Sequence, residues 1–211
     1  MIISFTLMFF VIYKNKKFIH NIFLIFVASC IFILSFSESI KNRIIDVTLE
    51  QMISSKAEEK RIYILSRQHD EHYTSAIRMF KKNPLFGVGV KNFRVFCNNE
   101  EFFISNYTCS PHPHNTYIQL LSETGLIGFL IIFSIFIYLN FRLLLHFLSC
   151  FKKKYLYDDL QICLLIGLYL TLWPLVPSGN FFNNWLSIVH FYPVGILLWS
   201  FKHNTKINDY S

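Results

Sequence analysis

The sequence lacks the motifs of several common functional classes. It has no RNA- or DNA-binding motif, and its five cysteines form no CxxC pair. Gly87-x-Gly89 is no dinucleotide-binding loop, because Asn92 stands where the third glycine belongs. A zinc-finger site is not expected either. The formal net charge of +7 is scattered between apolar runs rather than gathered in one patch, so no nucleic-acid partner is predicted.

Charge is also scarce relative to apolar residues. Only 16% of the 211 residues are charged, 53% are hydrophobic and 24 are phenylalanine. This composition is unusual for a soluble domain and typical of a membrane protein. The apolar start, Met1–Tyr13, has no basic n-region and no small-residue cleavage site, so no cleavable signal peptide is predicted. It is about half the roughly 20 residues that a spanning helix needs. We therefore expect the C-terminal part of a longer protein, or a shortened relative.

Apolar runs predict four and a half membrane spans. They are Met1–Tyr13 (partial), Phe18–Phe36, Thr116–Phe141, Leu160–Val176 and Trp185–Trp199. The lysines at 14–17, the basic loop at 142–154 and the basic C-terminal tail fall on one side, which the positive-inside rule makes cytoplasmic. The predicted fold class is an all-α, multi-pass membrane bundle of about four to five spans. Its parts are N-terminal spans at 1–36, a large outward-facing loop at 37–115 (periplasmic, in a bacterium), three C-terminal spans at 116–201 and a cytoplasmic tail at 202–211.

The loop at 37–115 is too long for an ordinary connection and should carry short helices. Apolar spacing predicts amphipathic helices at Ile44–Leu65 and His72–Lys82, the second stopped by Asn83-Pro84. Residues 84–90 read as turns, and 92–103 as either helix or loop. Cys97 and Cys109 lie in this loop, where an oxidising compartment favours a disulfide worth about 3 kcal/mol. Two free thiols are the alternative.

The organising stretch is Pro111–Gly128, a polar loop with two histidines that runs into the third span. Asn115 is a candidate N-cap for this helix. Asn115, Gln119 and Glu123 lie at i, i+4 and i+8 and therefore share one helix face. An ionisable group such as Glu123 inside a membrane usually faces the bundle interior or a watery cavity and has a function. The alternative is a polar stripe that only packs against neighbouring helices.

Four arginines, Arg61, Arg67, Arg78 and Arg94, lie in the same predicted loop. One guanidinium group can bind two phosphate oxygens at once, and it stays charged at any relevant pH. A cluster of arginines at a membrane surface therefore suits a lipid pyrophosphate. The alternative for any one of them is a solvated, salt-bridged helix face.

The histidines raise the question of a metal. His69, His72, His112 and His114 are candidates, but the order His69-Asp70-Glu71-His72 is not that of a zincin. Because no spacing matches a common metal pattern, we predict no metal and no cofactor. His114 is then either a general base, since neutral imidazole can accept a proton from a sugar hydroxyl, or an ordinary loop histidine.

Two segments resemble the O-antigen ligase and polymerase superfamily of bacterial membrane proteins. The more specific one runs from Pro113-His114-Asn115 to Glu123-Thr124-Gly125-Leu126-Ile127-Gly128. The other is Met79-Phe80-Lys81-Lys82-Asn83-Pro84-Leu85-Phe86-Gly87-Val88-Gly89. The resemblance extends to Arg67–Tyr73, Phe93-Arg94, the two loop cysteines and Phe181–Trp185, and so covers about residues 38–200.

The resemblance implies a glycosyltransferase of the GT-C type in the bacterial inner (cytoplasmic) membrane, with its active loop facing the periplasm. Such an enzyme moves glycan from an undecaprenyl-pyrophosphate carrier to an acceptor hydroxyl, without nucleotide sugar and, for ligases, without metal. The acceptor is lipid A–core sugar in ligases, another carrier-linked repeat unit in polymerases and a protein in some relatives. The other expected partners are membrane lipids. Family members usually carry more spans than this chain offers, which raises the alternative of a catalytically silent scaffold for the glycan machinery.

The resemblance also implies roles for individual residues. The family's outward-loop histidine falls on His114, and its loop arginines fall on Arg94 and on Arg67 or Arg78. We take His114, Arg94 and Arg67 as catalytic. The predicted substrate-binding residues are Arg78, His72, Asn115, Gln119 and Glu123. A membrane metallohydrolase that uses the four histidines is a further alternative.

Overall fold

The computed structural model describes residues 66–152, 154–175 and 177–209, with scattered positions between 21 and 47 and no side chains beyond 202. The elements in this part are helices, without a strand, so the all-α prediction is confirmed for it. The partial span Met1–Tyr13, nearly all of Phe18–Phe36 and Ile44–Leu65, and Arg61 lie outside it. The chain divides into two compact units, Tyr13–Glu71 and His72–Ser211 together with Met1–Ile12.

Five helices are described. They are α1 (Arg67–Lys82), α2 (Phe93–Phe96), α3 (Thr116–Phe151), α4 (Asp159–Thr171) and α5 (Asn184–Asp209). Helix α1 ends where Asn83-Pro84 predicts but begins five residues before the predicted start at His72. Helix α4 begins with a capping box in which the Asp158 side chain accepts the Gln161 N–H, and its 13 residues stop short of the predicted Val176. Helix α5 continues past the predicted Trp199.

Helix α3 is not the single straight span that the sequence predicts. Its backbone leaves helical geometry at Gly125, where φ is 67° and ψ is −164°. The Tyr117 ring, which precedes Gly125, lies 5.9 Å from the Phe133 ring and 6.1 Å from the Phe136 ring, both of which follow it. Nineteen residues of straight helix would separate Tyr117 from Phe136 by about 28 Å. The short arm Thr116–Thr124 therefore folds back against the long arm Leu126–Phe151.

The fold-back turn is held by a segment about 40 residues earlier in the chain. The Leu126 N–H donates to the Pro84 carbonyl (2.8 Å) and the Ile127 N–H to that of Leu85 (3.4 Å). In return the Val88 and Gly89 N–H groups donate to the carbonyls of residues 122 and 123, at 2.8 and 2.9 Å. These four bonds satisfy backbone groups that a broken helix would leave unpaired. We call this contact of 84–89 with 122–127 the interlock.

The long arm of α3 is the part of this helix that can cross a membrane. Within the described residues, α3 is the one helix long and apolar enough to do so. The 26 residues of Leu126–Phe151 would extend about 39 Å, which exceeds the roughly 30 Å hydrocarbon core. The number of spans and the side on which the loop at 37–115 lies stay predictions.

Two apolar cores stabilise the described fold. The larger one joins the long arm of α3 to α4 and α5 through buried residues such as Phe136, Ile162 and Leu197. The smaller one lies under α1 and α2 and contains Met79, Phe93 and Cys97. Cys97 and Cys109 form a disulfide with their Cα atoms 5.3 Å apart, which ties the turn after α2 to the segment that leads to the histidines.

Candidate functional site

The loop His112-Pro113-His114 is fixed by Ser178, from the turn between α4 and α5. The Ser178 N–H donates to the His114 carbonyl (2.8 Å), and His112 Nε2 lies 3.2 Å from the Ser178 carbonyl oxygen. Because a carbonyl only accepts, His112 Nε2 carries a proton. The Thr116 and Ser178 hydroxyls are also paired, at 2.9 Å. One serine thus holds both sides of the histidine loop.

His114 has a left-handed backbone, with φ of 59°. This conformation is uncommon for residues other than glycine, and it costs about 1–3 kcal/mol where the surroundings enforce it. Asn115 follows as the predicted N-cap, since its Oδ1 accepts the N–H groups of Tyr117 (3.0 Å) and Ile118 (3.1 Å). Its side-chain amide also donates to the Pro174 carbonyl (2.7 Å). The turn at His114 and the cap at Asn115 together set the direction of the short arm.

Three imidazoles meet at this loop. The ring of His114 lies 4.2 Å from that of His112 and 5.4 Å from that of His72, measured between centroids. His72 is buried on α1, while the other two are half-buried. The predicted residues His72 and His114 are therefore neighbours.

The surroundings keep the imidazoles of this loop neutral. Burial lowers the pKa of His114 below its ordinary value of 6.5. The pKa of His112 is lowered as well, and burial is the largest cause. The nearby His114 lowers this pKa further, whereas the hydrogen bond to the Ser178 backbone raises it. A neutral imidazole near pH 7 has a lone pair that can accept a proton. Near pH 7 the loop therefore presents neutral imidazoles rather than cations.

Gln119 and Glu123, the other polar residues of the short arm, form a buried network. Glu123 is only 1% exposed. One of its carboxylate oxygens accepts the Phe93 N–H (3.1 Å). The other accepts both the Lys91 N–H (3.0 Å) and the side-chain amide of Gln119 (3.0 Å). The Gln119 amide also donates to the Asn180 side chain (2.9 Å). Glu123 thus holds the N-terminal end of α2, and Gln119 holds the turn before α5.

Replacing Glu123 with glutamine should destabilise the protein by about 2–4 kcal/mol, because an amide cannot accept three donors and would point its own NH₂ at one of them. Thermal unfolding in detergent, with hydrogen exchange at residues 91–93, measures the effect. Glu100→Gln is the matched control, because Glu100 is exposed. Equal unfolding temperatures for the two variants would show that the network is not stabilising.

The predicted arginines occupy three different environments. Arg94 is exposed on α2, next to the Phe93 N–H that Glu123 accepts. Arg78 is exposed on α1, with Nη1 3.5 Å from the Phe103 carbonyl oxygen. Arg67, on the first turn of α1, pairs with Glu71 at 2.9 Å. In the part of the chain that is described, no hydrogen bond or ion pair joins Arg78 or Arg94 to the three histidines.

Among the described residues, no group of three or more His, Cys, Asp or Glu side chains is arranged to hold a metal ion. His69, paired with His72 in the sequence pattern, instead has its Nδ1 2.8 Å from the Ser66 hydroxyl, at the start of α1.

Sequence reasoning missed two residues of this site. His112 entered it only as a metal candidate, and Ser178 was not singled out. The flanking prolines at 111 and 113 are a signal for His112, because they restrict the backbone around it. Ser178 lies 64 residues beyond His114, in a turn with no distinctive pattern, so nothing in the sequence points to it.

A family model described as O-antigen ligase matches residues 1–133, which is more than half of the 211-residue chain. The match includes the interlock, the histidine loop and the fold-back turn, but not Ser178. It begins earlier than the predicted 38–200 and ends before the last part of α3. No curated protein and no solved structure matches the chain significantly. The chain belongs to the O-antigen ligase family, which is membrane-associated and whose characteristic activity is ligase-type glycan transfer.

Proposed function

We propose that this protein transfers glycan from an undecaprenyl-pyrophosphate carrier to an acceptor hydroxyl on lipid A–core, at the periplasmic face of the bacterial inner membrane. Family membership supports the reaction class. The observation that carries the residue assignment is His114, an imidazole held by Ser178 in a left-handed turn and kept neutral by burial.

The transfer needs a base for the acceptor and a cation for the leaving group. His114 removes the proton of the acceptor hydroxyl while that oxygen forms a bond to the anomeric carbon of the glycan. The bond from this carbon to the pyrophosphate oxygen breaks, and its electron pair leaves with the carrier pyrophosphate. A guanidinium group stabilises the negative charge that develops there.

The fold-back of α3 supports a lipid-linked donor. Tyr117, three residues after His114, packs on Phe129, Phe133 and Phe136 of the long arm, the part that can cross a membrane. The histidine loop is therefore beside an apolar helix rather than at the end of a straight one.

Arg94 is the best-supported pyrophosphate ligand of the three arginines. Its side chain is exposed, and the residue before it, Phe93, donates its backbone N–H to Glu123 of the short arm. Arg67 is already paired with Glu71, and Arg78 lies by the Phe103 carbonyl. Arg67, Arg78 and His72 stay candidates for substrate contact. Asn115, Gln119 and Glu123 act by holding the loop and α2 in place.

Arg94→Ala should lower kcat/KM for the lipid-linked donor about 10- to 100-fold, the equivalent of a lost charge-assisted contact of about 1.5–3 kcal/mol. Arg94→Lys should recover only part of this, because an ammonium group cannot bind phosphate oxygens as a planar fork does. Transfer kinetics in nanodiscs measure both. Lys152→Ala is the control, an exposed cation at the opposite end of α3. The assignment fails if Arg94→Ala and Lys152→Ala are equally active.

The function itself is tested by deleting the gene and separating the cell-surface glycans on a gel. Loss of all attached polymer indicates a ligase, and attachment of a single repeat unit indicates a polymerase. Restoration by the intact gene links the phenotype to this protein. An unchanged ladder would contradict both and leave the scaffold alternative.

A further inference from the structure

The interlock exposes a group of large apolar side chains that the catalytic proposal does not use. Leu85 is 57% exposed, Phe86 72% and Val95 60%, and Val90 is exposed as well. Leu85 and Phe86 lie in the interlock, Val90 follows Gly89, whose N–H donates to residue 123, and Val95 lies on α2, two residues after Phe93, whose N–H donates to Glu123. We call these four residues the apolar wedge. Clustered exposed side chains of this size on a loop mark a contact surface.

The position of the wedge identifies what covers it. The Leu85 carbonyl accepts the Ile127 N–H, and the Pro84 carbonyl accepts that of Leu126, so the backbone at the start of the wedge contacts the first residues of the long arm. Leu126, Ile127, Leu130 and Ile131 of that arm are themselves exposed apolar residues. Exposed apolar residues thus lie on both sides of the backbone contact between the loop and the candidate membrane span.

The charges around the wedge suit the same environment. Lys91 follows Val90, Arg94 precedes Val95, and the exposed Lys81 lies shortly before Leu85. Apolar side chains alternating with cations are typical of segments that lie in the interface of a bilayer, where the cations meet anionic headgroups. A protein partner or a second copy of the chain would not require both features.

We propose that the apolar wedge Leu85, Phe86, Val90 and Val95 is immersed in the lipid leaflet at the Gly125 end of α3. Acyl chains cover these four side chains, and the flanking cations lie among the headgroups. The wedge thereby fixes the depth of the interlock, and with it that of α2. This inference does not depend on the proposed transfer reaction.

Nitroxide labels on single cysteines test this in vesicles of equal parts phosphatidylethanolamine and phosphatidylglycerol. Labels go on Leu85→Cys and Phe86→Cys, with Ile131→Cys as the lipid-facing reference and Glu100→Cys as the exposed loop reference. The free cysteines, including Cys150 and Cys163, are first replaced by alanine, and the Cys97–Cys109 disulfide is kept. Frequent collision of the nitroxide with oxygen indicates that the label lies in lipid. Frequent collision with a water-soluble nickel chelate indicates that the label lies in water.

The ratio of oxygen collisions to nickel collisions should be similar at positions 85, 86 and 131. At each of these positions it should be at least several-fold higher than at position 100. Nickel collisions at 85 and 86 equal to those at 100 would overturn the proposal, because the wedge would then be in water. Exclusion of both reagents would overturn it too, because protein would then cover the wedge. Glycan transfer by the same labelled proteins is a separate readout, so failure of one proposal is distinguishable from failure of the other.

Discussion

His114→Asn should lower kcat for glycan transfer about 100- to 10,000-fold, the range expected when a general base is lost, with little change in the unfolding temperature. Asparagine is the informative replacement because, like histidine, it tolerates the left-handed backbone at this position, where φ is 59°. Its amide cannot accept a proton near pH 7. Single-turnover transfer in nanodiscs, with inserted protein quantified, measures the effect.

The pH profile of the unmodified protein adds a second test of His114. Because burial lowers its pKa below 6.5, the base should stay active at pH 7 and lose activity only as the pH falls through that lowered value. His114→Asn should abolish this acidic limb. His190→Ala is the control, a half-buried histidine on α5 that the proposed reaction does not use. Full activity in His114→Asn would remove His114 from the mechanism.

The sequence predicted the local parts of this site and missed the long-range ones. Asn115 could be recognised as an N-cap, and Gln119 and Glu123 as one face, because both follow from the geometry of a single helix turn. Glu123 is indeed buried, but its oxygens accept backbone N–H groups at 91 and 93, about 30 residues earlier. Such a partner cannot be read from spacing.

The fold-back of α3 shows the same limit. A glycine inside an apolar helix is common in membrane proteins and does not by itself predict a reversal. What decides the geometry at Gly125 is the docking of Pro84 and Leu85 onto the N–H groups that follow it. The two segments that resemble the O-antigen ligases contain the two halves of the interlock. The resemblance identified both segments, but only the structure shows that they bind each other.

Gly125→Ala should therefore unfold the interlock and abolish transfer. A Cβ at Gly125 would lie 2.3 Å from the Leu85 carbonyl carbon and 2.5 Å from the Phe86 nitrogen, both backbone atoms that cannot rotate away. The φ of 67° and ψ of −164° also lie in a region that is essentially restricted to glycine. Strain and overlap together should exceed about 4 kcal/mol, which is exceptional for one substitution. Gly87→Ala should be equally severe, because its Cβ would lie 2.4 Å from the Glu123 carbonyl carbon.

Gly167→Ala on α4 is the matched control, because nothing lies within 4 Å of the Cβ that it adds. Alanine in a helix interior should raise stability there by about 0.5–1 kcal/mol relative to glycine. Thermal unfolding and glycan transfer are measured for all three variants. Gly125 and Gly87 are on the two different segments of the interlock. Equal losses of stability and transfer in these two variants, with no loss in Gly167→Ala, would therefore indicate that both glycines serve the interlock. If Gly125→Ala folded and transferred glycan normally, α3 would not fold back, and Tyr117, three residues after His114, would lie about 28 Å from Phe136 along a straight helix.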